Sequence, residues 1–225
     1  MRRLIVVLAL IASTPCRASE VQFTLPDIDT ALSAIAAHAQ QFPLRFSSPS
    51  ERATIEQQLK TLLVTLDAAS AQYPDEPDVL LRAAFANAMG HNLDVPGCAE
   101  KAIADYERFL TFRPESQAGN YYYGAFLAGT ATLRAKSIPY LKKAARLGMP
   151  DARYMAAIVY LSLDDKAHAL DELTAYAKTN PDDATANDLR RDLERGDVKV
   201  VEKHAPPPDD VAVQAPAPAP AAAPR

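Results

Sequence analysis

The 225-residue sequence has no tryptophan and only two cysteines, Cys16 and Cys98. It contains no C-x-x-C pair, so a thioredoxin-like redox motif or a zinc ribbon is excluded. The four histidines, His38, His91, His168 and His204, are far apart, and no H-x-x-x-H spacing places two ligands on one helical face. No glycine-rich phosphate loop and no G-x-S-x-G nucleophile turn occur. The acidic pairs Asp164-Asp165, Asp182-Asp183 and Asp209-Asp210 lie at turns, where carboxylates cap helices. The expectation is a chain with no catalytic residues, no cofactor and no metal. The one alternative in this direction is a metal-dependent enzyme using His91, Asp94 and Cys98 in the long segment from His91 to Cys98.

The two ends differ from the middle. Arg2 and Arg3 precede an unbroken apolar run from Leu4 to Ala12, and Cys16-Arg17-Ala18 supplies small residues for cleavage after Ala18. This reads as a signal peptide, residues 1–18, and implies a periplasmic or secreted protein. A nine-residue run is too short for a membrane span, which needs about 20 residues. The alternative is an outer-membrane lipoprotein assembly factor anchored through Cys16, although Pro15 fits poorly before a lipidated cysteine. Cleavage removes three of the 24 basic residues and none of the 28 acidic ones, taking the net charge from −4 to −7. A nucleic-acid partner is therefore not expected. Cys98 alone remains, so no internal disulfide can form and packing must hold the fold. At the other end, APPPDDVAVQAPAPAPAAAPR holds seven of the 18 prolines and almost no large apolar side chains. Residues 197–225 are expected to be a disordered, partly polyproline-II tail.

The middle has helical periodicity. Ile28, Ala31, Leu32, Ile35, Ala39 and Phe42 recur at steps of three and four, giving a helix over 27–42. Ser48, Pro49 and Glu51 read as a capping box opening a second helix over 49–73, with a stripe through Ile55, Leu59, Leu62, Leu66 and Ala69. From there the punctuation becomes periodic: Pro74, Pro114, Pro150 and Pro181 are separated by 40, 36 and 31 residues. Periods in the thirties signal a solenoid of helix pairs.

Within these periods the residues resemble the tetratricopeptide repeat, and in part its Sel1-like relative. Ala102, Tyr106 and Pro114 match the second helix of a first unit, and Tyr123-Gly124 and Leu127 the first helix of the next. Ala157, Tyr160, Ala169, Leu173 and Pro181 match a third unit without a gap, while Lys143 to Gly148 with Asp151 to Tyr154 resembles the Sel1 form. The resemblance implies an all-α, right-handed α-solenoid of antiparallel helix pairs over residues 74–196, ending in a capping helix that stops at Gly196. Residues 19–73 are then a divergent helical pair or N-terminal cap. It also implies a non-catalytic scaffold that takes a protein or peptide partner in a concave groove. Carried over position by position, that groove comprises Leu80, Ala84, Asn87, Tyr121, Ala125, Ala128, Tyr154, Ile158 and Leu161. Tyr122 and Tyr123 are expected to pack between helices.

Overall fold

The computed structural model describes residues 5–6, 23–40 and 43–198. The expected signal peptide, Ile5 and Val6 apart, lies outside the described residues, as do Cys16, Phe42 and the tail from residue 199. The described chain forms α1 (Leu25–Ala39), α2 (Pro49–Gln72), α3 (Pro77–Asn92), α4 (Cys98–Phe112), α5 (Gln117–Gly129), α6 (Ile138–Arg146), α7 (Asp151–Ser162), α8 (Lys166–Ala177) and α9 (Ala184–Arg195). A 3₁₀ turn, Arg134–Ser137, leads into α6. Among the described residues the strands are limited to two-residue pieces, β1 (Ile5–Val6) and β2 (Phe23–Thr24), paired antiparallel. The fold is all-α.

Side-chain caps begin several helices by satisfying N–H groups that have no intrahelical acceptor. Ser116 accepts from Gly119 N, Asp165 from His168 N and Asp183 from Ala186 N. Ser48 likewise accepts from Glu51 N, but the expected reciprocal bond is not made. The Glu51 carboxylate instead accepts from the N–H and hydroxyl of Ser47, at 2.5 and 2.8 Å. The full capping box stands at α1, between Thr24 and Asp27. Gly196 ends α9 with φ of 77°, a left-handed backbone that a side chain would strain.

The helices pack as antiparallel pairs, α3 with α4, α5 with α6 and α7 with α8, and α3, α5 and α7 also touch in succession. The four periodic prolines fall in the turns that lead into α3, α5, α7 and α9. The core is a row of clusters: one joins α1, α2 and α3, and the next α3, α4 and α5. A third links α5, α6 and α7, and a fourth links α7, α8 and α9. Each pair is thus stabilised by its neighbours, as in a solenoid.

Small residues set the spacing. Ala83, Gly124, Ala157, Ala102, Ala144 and Ala169 are all buried. A Cβ on Gly124 would lie 2.8 Å from Leu141 Cγ and 3.2 Å from the Leu141 backbone N, so α5 and α6 meet at hydrogen-sized clearance. The segment from His91 to Cys98 departs from expectation. His91 and Asn92 belong to the last turn of α3 and Cys98 begins α4, leaving only Leu93–Gly97 as the connection. The two helices absorb part of this segment, because helical hydrogen bonds satisfy backbone groups that a loop would leave to solvent.

Candidate functional site

Helix α5 carries no charged residue along QAGNYYYGAFLAG. Its buried side is formed by Gly119, Asn120, Tyr123, Gly124 and Leu127. Tyr121, Tyr122, Ala125, Phe126 and Ala128 are half-buried and face outward between α3 and α7. The rings continue from helix to helix. Phe85 of α3 lies 5.0 Å from Tyr122, which meets Tyr121 edge-on at 5.6 Å. Lower on α5, Phe126 receives His91 edge-on at 5.6 Å. On α7 the same side presents Tyr154 and Met155, both half-buried, and Ile158, 42% exposed. Aromatic side chains with one covered and one open face provide large contact area at small entropic cost.

The nine transferred groove positions divide on burial. Tyr121, Ala125, Ala128, Tyr154 and Ile158 lie partly or fully open. Leu80 (1%), Ala84 (0%), Asn87 (2%) and Leu161 (8%) are buried and serve packing instead. On α3 the cause is rotational. The open apolar residues are Leu81, Phe85 and Ala88, each one position after a transferred one and so about 100° further round the helix. Asn87 is turned inward, donating to Ala83 O and to Asp105 Oδ2 at 3.0 and 3.3 Å. Tyr123 is also buried, stacked on Tyr106 and donating to Glu107 Oε1, whereas Tyr122 remains half open. The open aromatic positions Phe85, Tyr122 and Phe126 were missed by transferring positions from the repeat. Their signal is a large side chain directly after the first two transferred positions of each helix, Leu81 and Phe85 on α3, Tyr122 and Phe126 on α5, Met155 and Val159 on α7.

The electrostatics beneath this face are mostly paired. Arg82 forks onto Asp29 of α1, with two bonds of 2.7 Å. Glu172, buried on α8, accepts from Arg153 at 3.0 Å, with Lys142 3.9 Å away. Asp105 stands apart. Burial, with a smaller push from Asp67, raises its carboxyl to about 6 against the bond from Asn87 and the charges of Lys101 and Arg108.

Chemistry elsewhere is sparse. A shallow cavity of about 420 Å³ is lined by His38, Ser48, Ser50 and Glu51 among others. His38 Nδ1 is bonded to Arg45 O, the Ser48 hydroxyl faces Glu51 N and Ser50, and no hydrogen bond joins the histidine to either serine. A second shallow cavity, about 500 Å³, lies where the ends of α4 and α5 meet around Phe112 and Arg113. Among the described residues no group of three His, Cys, Asp or Glu side chains converges as a metal set. His91 is engaged with Phe126, and Cys98 is buried against Gly90, its thiol pushed up mainly by desolvation. No described helix is long and apolar enough to cross a membrane.

No protein-family model matches the sequence, and no curated protein matches it. Solved structures do. A thermophilic tetratricopeptide-repeat (TPR) protein of Thermus thermophilus aligns over 76% of this chain and 92% of its own, with a TM-score of 0.50 and 17% identity. The MamA protein aligns over 74% and 88%, with a TM-score of 0.51 and 15% identity. A TPR protein of Parabacteroides merdae aligns over 76% and 68%, with a TM-score of 0.50 and 20% identity. The chain has the fold of TPR proteins.

Proposed function

We propose that this protein is a non-catalytic interaction scaffold of the periplasm that takes an extended segment of a partner protein on the open face of α3, α5 and α7. The observation that carries this reading is the uncharged helix α5 with its row of half-open rings, continued by Phe85 on one side and by Tyr154 and Ile158 on the other. An extended peptide would bury its apolar side chains between these rings, and the absence of lysines there disfavours clamping of a terminal carboxylate. Residues 74–196 act as the binding array, the pair within 19–73 closes one end, and α9 closes the other. Paired charges along α9, Arg190–Glu194, Arg191–Asp188 and Arg195–Asp192, suit a solvated terminal helix.

Peptide display against the full chain tests the reading. Enriched peptides should be poor in charge and rich in proline or aromatic residues. Tyr121→Ala and Tyr154→Ala should each weaken them about tenfold, or ~1.4 kcal/mol, with helical circular dichroism near wild type. Enrichment that survives both substitutions places binding elsewhere and ends the proposal. Intact mass of protein recovered from the envelope tests the compartment: a start at Ser19 supports it, and an acylated Cys16 replaces it with the anchored alternative.

A further inference from the structure

We propose that the alanine–proline tail of this same chain, residues 205–224, docks in cis on the aromatic face and covers it until a partner displaces it. The inference rests on the scaffold reading and names the first occupant of that site.

Chemistry provides the first argument. The face is aromatic and uncharged at its centre, and the tail offers APPP and APAPAPAAAP, with proline rings and methyl groups as its apolar surface. Proline-rich segments dock on aromatic-lined grooves because their extended conformation is pre-set, so little ordering entropy is lost on binding. The two charges that interrupt the tail, Asp209 and Asp210, leave the Pro216 to Pro224 stretch neutral.

The second argument is position. Val198, the last described residue, packs on the same cluster as Tyr154 and Tyr176. The chain therefore leaves the described fold at the cluster that α7 shares with α8 and α9. The sequence continues for 27 residues beyond Val198, a reach of roughly 80 Å at ~3.1 Å per residue. Crossing from α7 to α3 takes two helix-to-helix steps of about 8–10 Å each, roughly 20 Å in all. The tail is long enough to lie along the whole face with slack. A tether of this length holds its segment at an effective concentration of order millimolar. A few ring contacts therefore suffice in cis, although the same peptide in free solution would bind weakly.

Photocrosslinking of the full chain tests this, with p-benzoylphenylalanine in place of Ile158, an exposed side chain on α7. The expected product is a monomer-mass adduct joining α7 to residues 205–224. Pro216→Ser, Pro218→Ser and Pro220→Ser together should lower its yield at least about fivefold. A tail adduct at dimer mass means docking in trans and overturns the proposal. So does an adduct confined to other parts of the chain, or a tail adduct whose yield ignores the three serines. The same labelled chain mixed with a display-selected peptide separates the two readings. Crosslinking to that peptide without any tail adduct leaves the scaffold standing and removes only the tail, whereas crosslinking to neither removes both.

Discussion

Asp105 and Asn87 are 18 positions apart in sequence and 3.3 Å apart in the structure, one on each helix of the first pair. Burial makes the charged carboxylate costly here, so its folded pKa of about 6 exceeds the unfolded value near 3.8. The folded state binds a proton more tightly than the unfolded state, so this group destabilises above pH 6 and the penalty disappears as pH falls toward 4. Asp27, Glu51, Asp165 and Asp183 act oppositely. Hydrogen bonds from backbone N–H groups and neighbouring hydroxyls hold their pKa values below the ordinary carboxyl range, so their contribution is lost as pH falls below that range. Thermal stability should therefore rise between pH 7 and 5 and fall below pH 4. Asp105→Asn, which still accepts from Asn87, should stabilise the protein at pH 7 by about 1 kcal/mol after allowance for solvent screening. It should also flatten the rise between pH 7 and 5, as read from melting temperatures across that range. A rise that persists in the variant assigns it to another group. Nothing in the local sequence marks Asp105, because its burial depends on a helix closed over it by the pair geometry.

At the scale of elements, much was legible and the failures have physical causes. The four spaced prolines, Ser48 and Gly196 mark helix ends directly, since each acts through its own backbone restriction or cap. The helix expected over 27–42 begins at Leu25 and closes at Ala39, with its capping box upstream at Thr24. The expected box at Ser48 is half formed, because Ser47 competes for the Glu51 carboxylate. The long segment from His91 to Cys98 is shortened at both ends to Leu93–Gly97, because His91 and Asn92 extend the ladder of α3 and Cys98 opens α4. Site register was harder to read. Burial of Leu80, Ala84 and Asn87 follows from the rotation of α3 between α1 and α4, a tertiary property that spacing within one helix does not carry. The small positions were readable and are testable. Gly124→Ala places a methyl group against Leu141 and should cost about 2 kcal/mol through overpacking. A melting temperature lowered by several degrees supports that close approach, while an unchanged one means α6 yields freely. Display-selected peptides should still bind the folded variant, because Gly124 faces away from the open rings.

The whole molecule is a row of shared cores with a different surface at its centre than at its ends. Ion pairs tie the second helices of the first two pairs back to the segment before each pair, Asp67 and Asp75 with Lys101 and Arg108 of α4, and Glu115 with Lys143 of α6. Each is solvent-exposed and contributes little alone, so the apolar clusters between pairs carry the stability. Against these charged flanks, α5 stands as a helix without charge whose rings are half covered by its neighbours. That contrast is visible in the sequence, where no acid or base occurs between Glu115 and Arg134. The outward direction of Tyr122 was not, since Tyr122 and Tyr123 part between surface and core only once α6 packs against Gly124. The proposed function rests on that division. Chemical-shift mapping of the isotope-labelled full chain, titrated with a display-selected peptide, tests it most directly. The largest perturbations should fall on Phe85, Tyr121, Ala125, Tyr154 and Ile158 and leave α4, α6 and α8 unmoved. Perturbations centred on the outer helices, with α5 silent, would contradict it.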